Sequence, residues 1–267
     1  HRSRSKEVCV VLESFNDEEA SAAFESYRHF FKLAFSRSNL PFALCTRLRE
    51  PLLLRLVAET YQAVPDYRMA PTFDTRVFTR YYDERVGRHD DRFVIDTIAN
   101  EMSEKSTAVL PIRSLSTHPV LGPAVQSEDA NSSYNRLLDL GVLVEMPGDL
   151  FQGPAIKFTY PLVGAYVLAR LLSSLDTPLK QTIQLLVEKR ERFSLAWDAA
   201  VALLGMRGDF EMFSDLAGAS NPELRELASA SLVKLQGIDR DRAIDILTQL
   251  LDSNMEEYQR TALRTAF

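Results

Sequence analysis

Cysteine is almost missing from this chain. Its 267 residues include two cysteines, Cys9 and Cys45, with no CxxC pair, and the four histidines are scattered. This spacing excludes a disulfide-rich scaffold and indicates no zinc site, so we expect no bound metal. The low cysteine content fits a reducing compartment, which predicts a cytoplasmic protein.

Long apolar runs are missing as well. No run reaches the roughly 18 to 20 residues that span a bilayer, and no secretory apolar segment follows the N-terminal HRSRSKE. The sequence therefore predicts no membrane association. The chain begins with His1 rather than Met, and we expect it to be a piece of a longer protein.

Positive charge is in deficit. The formal net charge is -6 and the sequence pI is near 5.4. Because basic surface supplies most of the affinity for phosphates, this balance disfavours nucleic acid as the main partner. A hydrophobic content of 46% supports a real core, and the length allows two or three small domains.

The most informative segment runs from Asn131 to Leu175. Its first part has helical apolar spacing up to Gly141, which can adopt the positive φ that ends a helix. Two extended runs follow, VLVEM and AIKFTY, and the intervening MPGDLFQGP predicts a hairpin with a long tip. Pro161 then opens a further helix. A helix followed by a two-stranded hairpin predicts a winged helix.

The N-terminal part predicts one strand and several helices. Val8–Leu12 has the composition of a strand buried in a parallel sheet, and Ser14 or Asn16 is the predicted cap of the next helix. Prolines open the two following helices, and the second of these starts at Pro51. Two longer helices are predicted at about 73–87 and 92–106. Residues 108–115 are predicted to form a strand at the edge of a sheet, because their proline has no amide proton to donate to a neighbouring strand.

The C-terminal part repeats a helical pattern. LRELASASLVKL aligns with YQRTALRTAF so that Ala228 falls over Ala262, and LAWDAAVALLG (195–205) has the same form about 32 residues upstream of the first. Helix pairs with this period predict an α-solenoid of HEAT-like repeats. The last repeat ends without a polar capping helix, so we expect the array to be truncated.

In this order, the elements resemble the C-terminal half of a STAND-class signalling NTPase of the NACHT type. EPLLLRLVAE (50–59) is similar to the lid-domain motif of that class, and Phe158, Tyr166, Ala169 and Leu172 match the motif that ends its winged helix. The resemblance covers nearly the whole chain. It implies a mainly α fold with a small β component, in which residues 1–13 end a missing NTPase domain. A helical lid (14–90), a winged helix (91–178) and HEAT-like repeats (179–267) would follow.

The resemblance also implies a nucleotide site with two residues from this chain. The motif proline that contacts the nucleotide base falls on Pro51, and the histidine that reaches the phosphates of ADP falls on Tyr160, followed by Pro161 in place of an aspartate. A phenol donates a hydrogen bond but carries no cation. No GxxxxGK[ST] loop occurs in this chain, so we expect no catalytic residue here. ATP or ADP, with magnesium, would be held mainly by the missing domain, and this fragment alone would bind none.

The function implied is a nucleotide-controlled switch in innate immune or antiviral defence. A protein ligand would engage the repeats, and the opened protomers would self-associate, turning about linkers at residues 88–92 and 176–178. One alternative is a winged-helix and HEAT-repeat scaffold without nucleotide. A second is a DNA-binding transcription regulator, which the helix before Gly141 disfavours because Arg136 is its one cation among several acids.

Three further clusters have ordinary structural interpretations. We expect His89-Asp90-Asp91 to lie in a loop and Trp197 to lie in the core. The basic residues of 188–192, which alternate with acids, are expected to form a solvated helix face with intrahelical ion pairs.

Overall fold

The start of the first helix, α1 (Asp17–Phe31), is set by local hydrogen bonds. In the computed structural model of the chain, the Glu19 amide donates to the Asn16 side chain at 2.9 Å, and the Asn16 amide donates to the Glu19 carboxylate at 2.9 Å. This reciprocal pattern satisfies amide groups that the helix itself cannot bond. The predicted cap is confirmed, and it is Asn16.

The structure describes residues 14–40, 42–62, 64, 74–147, 153–208 and 210–232. The predicted strand Val8–Leu12, Cys9, Pro41 and the repeat helix at 258–267 lie outside these residues, and the tip of the hairpin lies outside them in part. The chain divides into two compact units. The first unit is His1–Val77 and the second is Phe78–Phe267, and each is described by itself. The predicted domain boundaries near residues 13, 90 and 178 stay predictions.

The first unit is helical where it is described. After α1 it contains a short 3-10 helix (Arg37–Asn39), α2 (Phe42–Arg47), α3 (Pro51–Thr60) and the beginning of α4 (Asp74–Arg85). Its core contains an aromatic chain in which the Phe35 ring lies 6.2 Å from Phe24 and 5.8 Å from Tyr61. Most of α3 is buried, as its nearly all-apolar circumference predicts.

The second unit continues α4 and then combines helices with three short strands. The elements are α5 (His89–Glu104), β1 (Leu110–Pro111), α6 (Ile112–Ser116), α7 (Gly122–Val125), α8 (Ser133–Asp139), β2 (Leu143–Met146), β3 (Ala155–Phe158), α9 (Pro161–Ser173), α10 (Leu179–Glu188), α11 (Leu195–Arg207), α12 (Phe210–Ala217) and α13 (Pro222–Leu232). Over its described residues the chain is thus mainly helical with a small sheet, and this coarse prediction is confirmed.

The sheet is antiparallel and has the order β1-β3-β2. Leu143 faces Phe158 and Met146 faces Ala155, so the predicted hairpin is confirmed. Ile156 and Phe158 are both buried, as their alternation predicts. Gly141 adopts φ 67° directly after α8, which is the conformation predicted for the end of that helix.

Two predictions made for the region between α4 and α6 need correction. His89-Asp90-Asp91 is not a loop: it forms the first turn of α5, where acidic side chains are favourable near the amide end of a helix. The predicted edge strand at 108–115 is at the edge of the sheet but has only two residues. Helix α6 begins at Ile112, directly after the proline, because the first helical position needs no amide donor.

Small residues bring the last helices together. Helix α11 packs on α9, α10 and α13. Its alanines at 196, 199 and 200 are completely buried, and so is Ala228 of α13. The turn before α13 is stabilised locally, because α13 begins at Pro222 and the Asn221 side chain accepts from the Glu223 amide at 2.8 Å. No described helix is long and apolar enough to cross a membrane.

Candidate functional site

Pro51 is the first residue of α3. Its φ suits the helix, its missing amide proton is not needed there, and Glu50 before it is extended. The residue is half-buried. Its role in starting the helix accounts for the proline, and contact with a nucleotide base stays a prediction.

Tyr160 lies between β3 and α9, at the N-cap of the helix. Its side chain is 4% exposed, and its ring packs edge-on against Tyr81 of α4 with 5.8 Å between centroids. The Tyr160 carbonyl accepts from the amides of Val163 and Gly164 at 2.9 and 3.3 Å. This environment favours a packing role for Tyr160, and contact with a phosphate stays a prediction. Pro51 and Tyr160 belong to different compact units.

A polar cluster that was not predicted from the sequence lies among α4, α5 and α9. The Arg170 guanidinium donates to both oxygens of Asp96 at 2.6 and 2.7 Å and to the Tyr82 hydroxyl at 2.6 Å. Its carbon also lies 4.4 Å from the Tyr82 ring centroid, and Arg92 stacks on the same ring at 5.5 Å. The ion pair with Asp96 and the cation–π contacts with Tyr82 therefore join α4, α5 and α9 at one point.

Tyr166 extends this cluster along α9. Its hydroxyl and that of Thr79 are 2.9 Å apart, and its ring packs against Phe78 and Tyr82 of α4. Burial, with the Asp96 carboxylate nearby, raises the pKa of Tyr82, and burial also raises the pKa of Tyr166. Both phenols stay protonated at neutral pH. They are suited to hydrogen bonding rather than to nucleophilic attack or proton abstraction.

A second ionic contact joins α5 to α8. The Asp91 carboxylate, 2% exposed, is paired with the Arg136 guanidinium, whose Nε lies 3.3 Å from Asp91 Oδ2. The same guanidinium also donates to the Asn131 carbonyl and to Ser133 Oγ. The Arg136 guanidinium is therefore occupied by contacts within the protein and does not face outward to contact bases. This further disfavours recognition of DNA by α8.

The basic residues after α10 reach other elements. Helix α10 ends at Glu188, so the predicted helix face with intrahelical pairs is wrong. Lys189 Nζ donates to the Ser103 carbonyl at 3.0 Å, and Arg190 pairs with Glu226 of α13 at 2.8 Å. Arg190 also lies 4.1 Å above the ring of Trp197, which is half-buried rather than fully in the core. These side chains connect the end of α10 to α5, α11 and α13 instead of facing solvent alone.

Metal ligands are not assembled in the part of the chain that is described. No group of three His, Cys, Asp or Glu residues is placed to hold an ion there. Cys45 is a free thiol whose pKa burial raises, so it is not an activated nucleophile. The described residues thus offer contacts that position helices, and none of the clusters above has the composition of a catalytic site.

One sequence signal would have located the α5 contacts. Asp91 precedes Val94, Ile95 and Ile98 at helical spacing, so it lies in register with the buried face. A charged residue in that register needs a buried partner. The sequence does not reveal which cation supplies it, because Arg136 lies 45 residues away in the chain.

The fold and these contacts define a mainly α protein with a small antiparallel sheet, in which ion pairs and tyrosines join the helices. No family model matches the chain, and no curated protein proves to be similar to it.

Proposed function

We propose that this chain is the regulatory and sensing part of a STAND NTPase of the NACHT type. It would act as a nucleotide-controlled switch that oligomerises on ligand recognition, in innate immune or antiviral defence, within the cytoplasm. The observation that carries the proposal is the order of the elements. A helical unit in which Pro51 starts a buried helix precedes a hairpin that Pro161 joins to a helix, and paired helices follow.

The central elements support a winged helix in this position. Helix α5, edge strand β1, helices α6 to α8 and the hairpin β2–β3 follow each other in the order that winged helices have, and the first strand pairs beside the hairpin. The ion pairs from Asp91 to Arg136 and from Asp96 to Arg170 tie α5 to α8 and α9. A domain that rotates as a rigid body requires contacts of this kind between its helices.

The last helices support a HEAT-like array. α10 with α11 and α12 with α13 are consecutive pairs, and the second helices of the two pairs pack against each other. In the proposed switch a protein ligand engages this array. The ligand favours the open state only if its affinity for the open and closed states differs.

The proposed nucleotide contacts involve Pro51 and Tyr160. In the closed state, ADP would be clamped between the nucleotide domain, the helical lid and the winged helix, with Pro51 against the base. Tyr160 would serve mainly as a packing residue, because its ring is buried against Tyr81. The linker between α9 and α10, around residues 176–178, is non-helical and suits a hinge. Residues 89–92 do not suit one, because they form the first turn of α5.

The gene sequence upstream of His1 tests the class directly. We expect a GxxxxGK[ST] loop and a following acidic strand within about 150 to 250 residues upstream, given ordinary domain sizes. If the upstream sequence encodes no such loop, the chain is not part of an NTPase of this class.

The full-length gene product tests the site. It should purify with ADP, and Pro51→Ala should weaken ADP binding by about tenfold, measured by isothermal titration. Pro222→Ala is the matched control, since Pro222 also begins a helix and should leave affinity unchanged. A full-length protein that binds no adenine nucleotide would leave the scaffold alternative, in which the winged helix and repeats bind a protein partner without nucleotide.

A further inference from the structure

One edge of the small sheet is open. Strand β2 lies at the end of the order β1-β3-β2, so among the described residues it has a neighbouring strand on one side only. Glu145 and Pro147 are exposed, and Val144 and Met146 are half-buried, so solvent reaches this edge. The outer edge of a sheet presents backbone groups that have no partner within it, and such an edge can pair with another chain.

The hydrogen bonds of the hairpin fix which backbone groups of β2 point outward. In an antiparallel pair, residues that bond to the partner strand alternate with residues whose backbone groups point away from it. The Thr159 amide donates to the carbonyl of Val142, directly opposite in the register of the hairpin, at 3.0 Å. By this alternation Val144 also bonds to β3, whereas its neighbours Leu143 and Glu145 point away from it.

The other side of β3 gives the same assignment. The Ile112 amide donates to the Pro154 carbonyl at 2.9 Å, and Leu110 pairs with Ile156 in the same register. The backbone groups of Ile156 therefore face β1 and do not bond to Glu145, which lies opposite Ile156 on β2. No other described residue bonds to the amide or carbonyl of Glu145. These two groups are thus available to a further strand.

The Glu145 side chain adds a charge preference to this edge. Its Oε1 accepts from the Tyr134 hydroxyl at 2.8 Å, and no ion pair joins the carboxylate to a cation of the described residues. Lys157 of β3 lies opposite Val144 and therefore on the other face of the sheet. Opposite charges that face each other across two strands attract, so a basic side chain opposite Glu145 is favoured.

We propose that β2 binds an extended segment of a partner protein, which adds a strand to the sheet. The amide and carbonyl of Glu145 would pair with the backbone of this segment, and a lysine or arginine of the segment would lie opposite Glu145. Pro147 has no amide proton at the next outward position, so the pairing ends there. The inference does not depend on the nucleotide switch, because it rests on the sheet alone.

The test uses the whole chain and three designed peptides. The first has about six residues, valine and threonine with one central lysine, which suit an extended conformation. The second is identical except for a methyl group on the backbone nitrogen of the lysine. The third has glutamate in place of the lysine. Each peptide is titrated into the isotope-labelled chain, and the backbone amide signals are followed by NMR spectroscopy.

We expect the lysine peptide to bind with a Kd between about 0.1 and 1 mM and to shift the amide signal of Glu145. The methylated peptide should bind at least about tenfold more weakly, because it lacks the amide proton that would pair with the Glu145 carbonyl. The glutamate peptide should bind about fivefold more weakly at low salt, and this difference should shrink as salt increases.

Two substitutions at one position separate the backbone from the side chain. Glu145→Pro removes the outward amide proton without taking a donor from the pairing with β3, and it should weaken binding of the lysine peptide by about tenfold or more. Glu145→Gln keeps that amide and should remove most of the preference for the lysine peptide over the glutamate peptide. Phe93→Ser is the control, because Phe93 is 54% exposed on α5, and it should leave binding unchanged.

A proline at the neighbouring position checks the direction of the backbone groups. By the same alternation the Met146 amide faces β3, so Met146→Pro removes a hydrogen bond within the hairpin. It should lower the urea midpoint more than Glu145→Pro does. Circular dichroism melting shows whether each variant is folded.

Three outcomes would overturn the proposal. These are no shift of the Glu145 amide signal with the lysine peptide at about 2 mM, equal binding of the methylated and unmethylated peptides, or unchanged binding by folded Glu145→Pro. If Glu145→Pro does not fold, the methylated peptide decides. Sedimentation of the chain alone addresses a second copy as the occupant. If the chain self-associates and Glu145→Pro abolishes the association, the edge is an interface between copies and not the site proposed.

Discussion

At the scale of single residues, Asp91 is the one charged side chain that is buried among the described residues. Its carboxylate is almost wholly removed from water and is paired with Arg136 of α8. Removing one partner of a buried ion pair leaves the other charge uncompensated, which costs more than the pair contributes. The ion pair of Arg170 and Asp96 is more exposed, so we expect the loss of either partner there to cost less.

Arg136→Met should therefore destabilise the protein strongly. We expect a loss of about 3 kcal/mol in the free energy of unfolding, measured by urea denaturation. The double variant Asp91→Leu with Arg136→Met should recover much of this loss, because no buried charge remains. Arg113→Met on α6 is the control, since Arg113 is exposed, and it should change stability by less than about 0.5 kcal/mol. Similar losses for Arg136→Met and Arg113→Met would contradict the assignment.

Buried tyrosines predict a loss of stability at alkaline pH. Burial raises the pKa of Tyr82, Tyr134 and Tyr166 above the value of 10.0 expected when they are exposed, and the carboxylate of Glu145 adds to the effect at Tyr134. Above pH 10 the unfolded chain loses these protons while the folded chain keeps them. Ionisation therefore lowers the free energy of the unfolded state relative to the folded state. The stabilisation is complete below pH 10 and is lost as pH rises further.

The measurement is the urea midpoint as a function of pH. Between pH 10 and the raised pKa values, each of these tyrosines should reduce stability by about 1.4 kcal/mol per pH unit. Tyr82→Phe and Tyr166→Phe should make the decline of stability with pH shallower. Tyr27→Phe, which replaces a half-buried tyrosine of α1, is the matched comparison. A decline of the same steepness in the Tyr82→Phe and Tyr27→Phe variants would argue against this origin.

At the scale of elements, the junction between β3 and α9 depends on a close approach. Pro161 starts α9 after a connection of two residues from the strand, and Gly164 lies against the ring of Phe158. A Cβ at position 164 would be 2.5 Å from that ring, which is shorter than any ordinary contact. The absence of a side chain at 164 lets the helix pack directly on the hairpin.

Gly164→Ala should thus destabilise the second unit. We expect a loss of about 1 to 3 kcal/mol in the free energy of unfolding, because overpacking forces the helix or the ring to move. Gly87→Ala is the control, since the nearest atom to a Cβ there is 3.8 Å away. The double variant Gly164→Ala with Phe158→Leu should recover part of the loss. Chemical denaturation of the four proteins decides the matter, and a neutral Gly164→Ala would refute the close approach.

At the scale of the whole molecule, charge and the commitment of Arg136 predict no specific binding to DNA. The net charge is negative, and the one arginine of α8 is bound to Asp91. We expect labelled duplex DNA, titrated at several salt concentrations, not to bind specifically. In particular, no association constant should appear whose logarithm falls linearly with the logarithm of the salt concentration. A slope corresponding to several phosphate contacts would restore the transcription-regulator alternative.

Local signals predicted much of the fold and little of the candidate site. Asn16, Gly141 and Pro161 fix element ends through hydrogen bonds and backbone angles that depend on their neighbours in the chain. The first turn of α5 was missed because a polar triplet after glycine is typical of loops. Its acidic residues suit the first turn of a helix, and Asp91 also pairs with Arg136, which is a contact between distant segments that local signals do not reveal.

The sequence by itself determined the element ends at Asn16, Gly141 and Pro161 and the mainly helical content of the described residues, because capping, periodicity and proline act over a few residues. Only the tertiary structure decided which charges are paired and which aromatic rings stay uncovered. Those outcomes depend on burial, and burial follows from the packing of segments that lie far apart in the chain. Tyr160 shows the difference, since its place at the start of α9 follows from the sequence and its ring contact with Tyr81 does not.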